Sequence, residues 1–123
     1  MLSSLKFWAV IMGLFFILEG IAGCMPQFTT NGMLFGIFMV NTLLNVVHIV
    51  MGVIFILAAT NSNYAKFIFR LFGLLLLALA IVGFVHNGDL YLVHFNMANN
   101  ILVLSLSIVN LFFGFVFKTK SAY

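Results

Sequence analysis

Charged residues are scarce in this chain, and their scarcity excludes most classes of protein. Of 123 residues, 6% are charged and 65% are hydrophobic. A water-soluble domain carries about a quarter charged residues, so this chain could not cover a surface that faces water. The surrounding medium must therefore be lipid, and we expect residues 1–123 to form one transmembrane domain. Nucleic acid is not an expected partner, because the small positive excess is better explained by membrane topology.

Proline and cysteine occur once each. With Pro26 as the only proline, long helices are hardly interrupted. With Cys24 as the only cysteine, no disulfide can form within the chain. The stretch from Ile21 to Cys24 also resembles a bacterial lipoprotein cleavage site. Because Glu19 interrupts the apolar core that such a signal requires, we interpret this stretch as the end of a membrane helix.

Four apolar segments are long enough to be helical membrane spans, each of which needs roughly 20 residues. They cover residues 7–23, 34–59, 67–85 and 97–117. Turn-forming pairs such as Asn31-Gly32 and Asn87-Gly88 lie between them. Because the connections are short, the sequence predicts an all-α membrane protein, a four-helix bundle with up-down-up-down topology.

The few charges predict the orientation of this bundle. Asp89 follows the third segment, at the end of the bundle that holds no lysine or arginine. The opposite end holds all five basic residues: Lys6, Lys66, Arg70, Lys118 and Lys120. By the positive-inside rule we expect both termini in the cytoplasm and the protein in the bacterial inner membrane.

Polar side chains recur on one stripe of the second predicted helix. Asn41, Asn45 and His48 are spaced i, i+4 and i+7, so they share one helical face. The first segment contributes Glu19, and the fourth carries a matching set: Asn96, Asn99, Asn100 and Ser107. Unpaired polar groups are costly in lipid, so we expect this intramembrane polar cluster to point into the bundle. We also expect a hydrogen bond between the second and fourth helices.

Two explanations of the polar cluster stay open. The first is structural, since hydrogen bonds between membrane helices contribute about 0.6 kcal/mol each and are well served by asparagine. The second is functional, and it accounts better for Glu19 and His48, because packing alone needs no acid. His86 and His94 lie near a polar connection, where they are expected to be ordinary interfacial residues. No catalytic motif, metal site or phosphate-binding loop is seen.

Two blocks resemble a bacterial four-helix membrane family known as domain of unknown function 4383. The blocks are "LFGIFMVNTLLNVVHIVMGV" and "HFNMANNILV", and the resemblance extends over nearly the whole chain. The family pattern in the second helix is N-x-x-H-N-x-x-H, which Asn41, Asn45 and His48 match. In the fourth helix the pattern is N-x-A-D-N-x-L-H, and the residues that match it are Asn96, Ala98, Asn100 and Leu102.

This chain departs from the family pattern at three positions. Leu44 and Val103 stand where the family has histidine, and Asn99 replaces an aspartate. A family site of several histidines and an aspartate would suit a metal ion or a proton relay. The departures argue against a metal here, whereas Glu19 could substitute for the missing carboxylate. The resemblance implies the fold and brings no established activity.

The sequence thus leaves three hypotheses of function. The first is a non-enzymatic binding or accessory protein that uses the polar cluster in a small pocket, alone, as a homo-oligomer or in a larger membrane complex. The second is a small proton-coupled transporter that uses Glu19 and His48. The third is an accessory of an oxidoreductase that holds a quinone or haem between protomers. No cofactor is predicted under the first two hypotheses.

Overall fold

A computed structural model describes residues 5–88 and 94–117 of the chain. Within these residues the fold is mainly helical, with four α-helices and one small sheet. The predicted positions of Asp89, Lys118 and Lys120 lie outside the described residues. The helices are α1 (Leu5–Cys24), α2 (Thr42–Ala58), α3 (Ser62–Val85) and α4 (Met97–Leu111). One π-helical stretch, Phe112–Val116, continues α4.

Three of these helices are long and apolar enough to cross a membrane: α1, α3, and α4 with its π-helical continuation. The fourth, α2, has 17 residues and is shorter than the roughly 20 that a span requires. The prediction of a mostly helical chain with helices long and apolar enough to cross a membrane is therefore confirmed.

The prediction of a helix over residues 34–59 is wrong for its first eight positions. Residues 29–39 instead form a three-stranded antiparallel sheet, the β-meander, whose strands are β1 (Thr29–Thr30), β2 (Met33–Leu34) and β3 (Phe38–Met39). Its first turn is Asn31-Gly32, with φ of 53° and 76°, which suits the two-residue turn of a β-hairpin. Hydropathy could not detect the sheet, because a short apolar run fits a strand as well as a helix.

Asparagine caps determine where two of the helices begin. The Asn41 side chain accepts a hydrogen bond from the Leu44 N–H at 2.7 Å, so α2 starts one residue later, at Thr42. Asn61 does the same for α3 by accepting from the Asn63 N–H at 2.7 Å. As a result α3 begins five residues before the predicted start at Phe67. Such caps satisfy N–H groups that have no partner within the helix.

The four helices form two antiparallel pairs, α1 with α2 and α3 with α4, and glycine allows close contact within each. A Cβ atom at Gly13 would lie 2.7 Å from the Gly52 carbonyl oxygen. In the second pair, a Cβ atom at Gly73 would lie 2.8 Å from the Leu111 side chain. Lipid provides no hydrophobic force between helices, so this close packing is what stabilises each pair.

The two helix pairs are an internal repeat. Buried positions of α1 recur 60 residues later in α3: Leu5 with Ala65, Ala9 with Phe69, Met12 with Phe72, Gly13 with Gly73, Phe16 with Leu76, Gly20 with Ala80, and Gly23 with Gly83. Those of α2 recur 55 residues later in α4: Asn45 with Asn100, Gly52 with Ser107, and Phe55 with Asn110. The capping residues Asn41 and Asn96 are equivalent as well.

Aromatic rings join the two pairs at the end of the bundle away from the β-meander. The Phe55 ring of α2 lies 5.0 Å from that of Phe69 and 5.2 Å from that of Phe72, both on α3. Phe113 stacks on Trp8 of α1 with centroids 5.3 Å apart. Toward the β-meander the two pairs separate, and cavities lie between them.

Arg70 has a specific partner in the π-helical stretch. Its Nε donates a hydrogen bond of 2.7 Å to the Gly114 carbonyl, and its guanidinium lies 4.6 Å from the centre of the Phe115 ring. A π-helical turn alters the regular hydrogen bonding of an α-helix, so a donor from a neighbouring helix can bind a carbonyl there. The side chain thereby joins α3 to the end of α4.

Candidate functional site

Glu19 of α1 faces His48 of α2 in the interior of the first helix pair. The Glu19 Oε1 and His48 Nε2 atoms lie 3.8 Å apart, with side chains 12% and 13% exposed. Phe16, one turn before Glu19, stacks on the imidazole with centroids 5.8 Å apart and planes 15° apart. The ring of Phe16 also stacks on Phe55, which fixes its position. The predicted acid and histidine are therefore neighbours.

Neither group is fully satisfied by the described residues around it. Glu19 Oε1 and His48 Nδ1 are buried, and no described residue makes a hydrogen bond to either atom. The separation of 3.8 Å is too long for a direct hydrogen bond. Buried polar atoms are nearly always bonded, so each exception calls for an explanation. Glu19 and His48 therefore form a polar pair that the described residues leave incompletely bonded.

A cavity of about 400 Å³ lies directly against Glu19. We call it the α1–α4 cavity, because it lies between those two helices and next to the β-meander. Among the described residues that line it, Glu19 is the only ionisable one; the others are Phe15, Leu18, Ala22, Leu34, Phe35, Phe38 and Leu102. The volume lies within the roughly 300–1,000 Å³ that is typical of small-molecule sites. Such sites combine apolar walls with a few polar groups, as this one does.

The internal repeat produces a second cavity, the α2–α3 groove, of about 350 Å³. Five residues that line the α1–α4 cavity have their equivalents in this groove: Phe15 with Leu75, Leu18 with Ala78, Glu19 with Leu79, Ala22 with Val82, and Leu102 with Val47. Leu79 replaces the acid, and all lining residues of the groove are apolar. The β-meander contributes to the first cavity alone. The carboxyl group and the cover therefore distinguish two otherwise equivalent spaces.

Two predicted site residues, Asn45 and Asn100, occupy equivalent buried positions against glycine. Asn45 is 4% exposed and Asn100 3% exposed. The Oδ1 of Asn45 lies where a Cβ of Gly23 would be, and the Oδ1 of Asn100 where a Cβ of Gly83 would be. Neither Oδ1 atom has a hydrogen-bond partner among the described residues. These asparagines therefore pack within each helix pair rather than meeting across the bundle.

Asn96 and Asn99 hold the β-meander against the start of α4. Asn99 Oδ1 accepts a 2.7 Å hydrogen bond from the Met39 N–H, and its Nδ2 donates to the Met39 carbonyl at 3.1 Å. The Nδ2 of Asn96 donates to the Ile37 carbonyl at 2.7 Å. The two asparagines also cap α4 reciprocally. Their role is to position the cover of the α1–α4 cavity.

The remaining predicted residues do not join a single cluster. Asn41 is exposed and caps α2 instead of pointing inward. Ser107 is buried and donates a 2.7 Å hydrogen bond to the Leu104 carbonyl of its own helix. The predicted hydrogen bond between the second and fourth helices is not present among residues 5–88 and 94–117. The side chains at the start of α4 bond instead to β3 and the preceding turn, since residues 34–41 are not helical.

Sequence reasoning missed both the cover of the cavity and the internal repeat. Phe35 and Phe38, which line the cavity from the β-meander, were assigned to a membrane helix. Gly36, with φ of 70°, was the available signal for a turn. A comparison of the sequence with itself would have aligned residues 13–23 with 73–83, because each begins with Gly-Leu and ends with glycine.

The histidines outside the site remain apart from it. His86 and His94 are both exposed at the ends of helix connections. No three His, Cys, Asp or Glu side chains of the described segments come together as a set that could hold a metal ion. Cys24 is exposed and free.

Long apolar helices with a partly polar interior are typical of a small helical membrane protein. A family model described as Domain of unknown function (DUF4383) matches residues 6–116. Because this match extends over most of the chain, the protein belongs to that family, as the two sequence blocks predicted. Neither a curated protein nor a solved structure matches the chain.

Proposed function

We propose that this protein is a non-enzymatic membrane protein that binds a small amphipathic molecule in the α1–α4 cavity. The proposal rests on one difference between the α1–α4 cavity and the equivalent α2–α3 groove. Glu19 lines the α1–α4 cavity and has a buried Oε1 atom without a hydrogen-bond partner among the described residues, whereas leucine occupies the same position in the α2–α3 groove. A polar group without a bonding partner is unfavourable in a lipid-embedded interior, so stability alone gives no reason for it. A ligand with an apolar body and one polar group accounts for both the walls and the acid.

The binding proposal is tested by filling each space in turn. Ala22→Phe adds a ring to the α1–α4 cavity, and Val82→Phe adds one at the equivalent position of the α2–α3 groove. Native mass spectrometry from mild detergent, with extraction of bound lipids, should detect a small molecule on the wild-type protein and on V82F. The same molecule should be lost from A22F. Equal retention by both variants, or no bound molecule in any of them, would contradict the proposal.

The proposal includes four spans with both termini in the cytoplasm of a bacterial inner membrane. Lys66 and Arg70 lie near the start of α3, and Lys6 lies near the start of α1, at the same end of the two antiparallel pairs. Although α2 has 17 residues, the β-meander that precedes it can satisfy its own backbone groups near the opposite interface. Positive charge at one end then orients the bundle.

An impermeant thiol reagent tests this topology in intact cells. Cys24 is exposed at the end of α1 and should be labelled from outside. In the variant C24S/N63C the new thiol lies at the exposed start of α3 and should react only after the membrane is opened. Labelling of both proteins from the same side would exclude the four-span arrangement.

Proton-coupled transport is a second candidate, favoured by the 3.8 Å separation of the Glu19 and His48 side chains within the bundle. Both can exchange protons, and intramembrane acids and histidines form relays in pumps and transporters. A proton gradient across proteoliposomes should then drive a flux that Glu19→Gln abolishes while the fold is retained. Wild-type proteoliposomes without flux would exclude transport and leave the binding proposal intact.

A further inference from the structure

The lining of the α1–α4 cavity also indicates the chemical class of its ligand. We infer that the cavity binds a lipophilic organic cation, an ammonium or phosphonium group with apolar substituents, whose positive charge lies beside Glu19. This inference rests on the proposed binding function and makes it more specific.

The charge of the ligand follows from the ionisable residues near the cavity. Within residues 5–88 and 94–117, Glu19 is the only acid in the lining, and no lysine or arginine of these segments contributes to it. The described basic residues Lys6, Lys66 and Arg70 lie at the starts of α1 and α3, whereas Glu19 is near the end of α1. Of the basic side chains that the structure describes, only His48 is close to the carboxyl group, and it makes no hydrogen bond with Oε1. The Glu19 carboxylate would attract a cationic ligand in the cavity and repel an anion.

The organic nature of the ligand follows from the other walls. Three of the lining residues are phenylalanines, Phe15, Phe35 and Phe38, and aromatic rings attract cations through their negative faces. A metal cation would need several oxygen ligands, and among the described lining residues Glu19 alone supplies carboxylate oxygen. A weakly hydrated organic cation needs only one carboxylate and apolar contact. The cavity of about 400 Å³ has the size of a small-molecule site.

Among the described residues, the α2–α3 groove lacks counterparts of both the acid and the aromatic rings that line the α1–α4 cavity. Leu79 replaces Glu19, and Leu75 replaces Phe15. No part of the β-meander lines the groove, so it has no counterpart of Phe35 or Phe38. The same helix geometry therefore occurs once with the acid and the rings and once without them. Position 79 is accordingly a matched control for position 19.

Tetraphenylphosphonium and tetraphenylborate test the charge, because they have the same shape and opposite charges. Equilibrium dialysis against the full-length protein in nanodiscs should show saturable binding of the phosphonium and no saturable binding of the borate. Glu19→Gln keeps the size of the side chain and should weaken phosphonium binding by about tenfold or more, whereas Leu79→Gln should leave it unchanged. Phe15→Leu should weaken binding by about threefold. Circular dichroism and size-exclusion profiles establish that each variant is folded.

The outcomes separate the ligand class from the binding function itself. If A22F abolishes phosphonium binding but E19Q does not, the cavity binds apolar molecules and the cationic class is wrong. Equal binding of phosphonium and borate would overturn the class as well. If A22F changes neither phosphonium binding nor the co-purifying molecule, the binding function fails together with this inference.

Discussion

The first helix pair, α1 with α2, and the second, α3 with α4, use the same packing scheme for different purposes. Gly13 and Gly73 are equivalent, as are the contacts of Asn45 with Gly23 and of Asn100 with Gly83. Only the first pair adds an acid and a histidine, Glu19 and His48, where the second has leucine and valine. The shared positions maintain the helix contacts, so the differing positions are where function is to be sought.

The two pairs also differ in how closely their backbones approach. At Gly13 the nearest atom to an added Cβ is a carbonyl oxygen of Gly52 at 2.7 Å. At Gly73 the two nearest atoms belong to the Leu111 side chain, at 2.8 Å and 2.9 Å, and the nearest backbone atom is the Leu111 nitrogen at 3.0 Å. A side chain can rotate away, but a backbone carbonyl moves only with its helix. The first pair should therefore tolerate change less well than the second.

The largest expected effect comes from adding one methyl group to the first pair. Gly13→Ala should lower the free energy of unfolding by about 2–3 kcal/mol, because the α1–α2 interface must separate to accept it. The matched control Gly73→Ala should lower it by about 1 kcal/mol, since Leu111 can move. Unfolding by sodium dodecyl sulfate in mixed micelles measures both values. Equal losses would show that the two interfaces are packed alike.

The next prediction concerns the cover of the α1–α4 cavity. Asn99→Leu gives α4 the residue found at the equivalent position of α2, Leu44, and removes two hydrogen bonds to Met39. We expect a loss of about 1.5 kcal/mol and faster amide hydrogen exchange at Met39, while amides within α1 exchange as before. Unchanged exchange at Met39 would mean that the β-meander is held in place by other contacts.

A third prediction concerns a variant in which the first helix pair carries two residues of the second. The double variant E19L/H48V introduces the residues found at positions 79 and 103 and removes two incompletely satisfied polar groups. It should be more stable than the wild type by about 1 kcal/mol, yet lose the ligand. The same unfolding titration and ligand extraction test it. A clear loss of stability would assign the pair to structure instead.

The smallest expected effect comes from removing the Asn41 cap, and Asn96 is the capping residue to compare it with. Asn41→Ala removes one hydrogen bond, from Leu44, and should lower the unfolding free energy by about 0.5–1 kcal/mol. Asn96→Ala should have about twice that effect, because Asn96 also donates to the Ile37 carbonyl. Thermal melting followed by circular dichroism ranks the two variants. The reverse order would contradict the assigned role of Asn96.

The spacing of polar residues predicted which residues lie inside the bundle. It could not predict which of them form the Glu19–His48 pair and which instead cap helices or pack against glycine. The i, i+3 spacing correctly placed Asn45 and His48 on one face of α2. The i, i+4 spacing also placed Asn41 on that face, although the side chain of Asn41 is used at the helix start. Periodicity describes a continuing helix and therefore cannot show where a helix begins. The same limitation concealed the β-meander within an apolar run.

Composition alone determined that the chain belongs in lipid, because 6% charged residues could not cover a surface that faces water. Segment length and turn residues determined a mainly helical fold. Only the tertiary structure decided that Glu19 faces His48, that Asn99 binds the β-meander, and that one of two equivalent spaces is covered. These arrangements depend on contacts between residues far apart in the chain, such as Met39 with Asn99, and local spacing contains no information about such contacts.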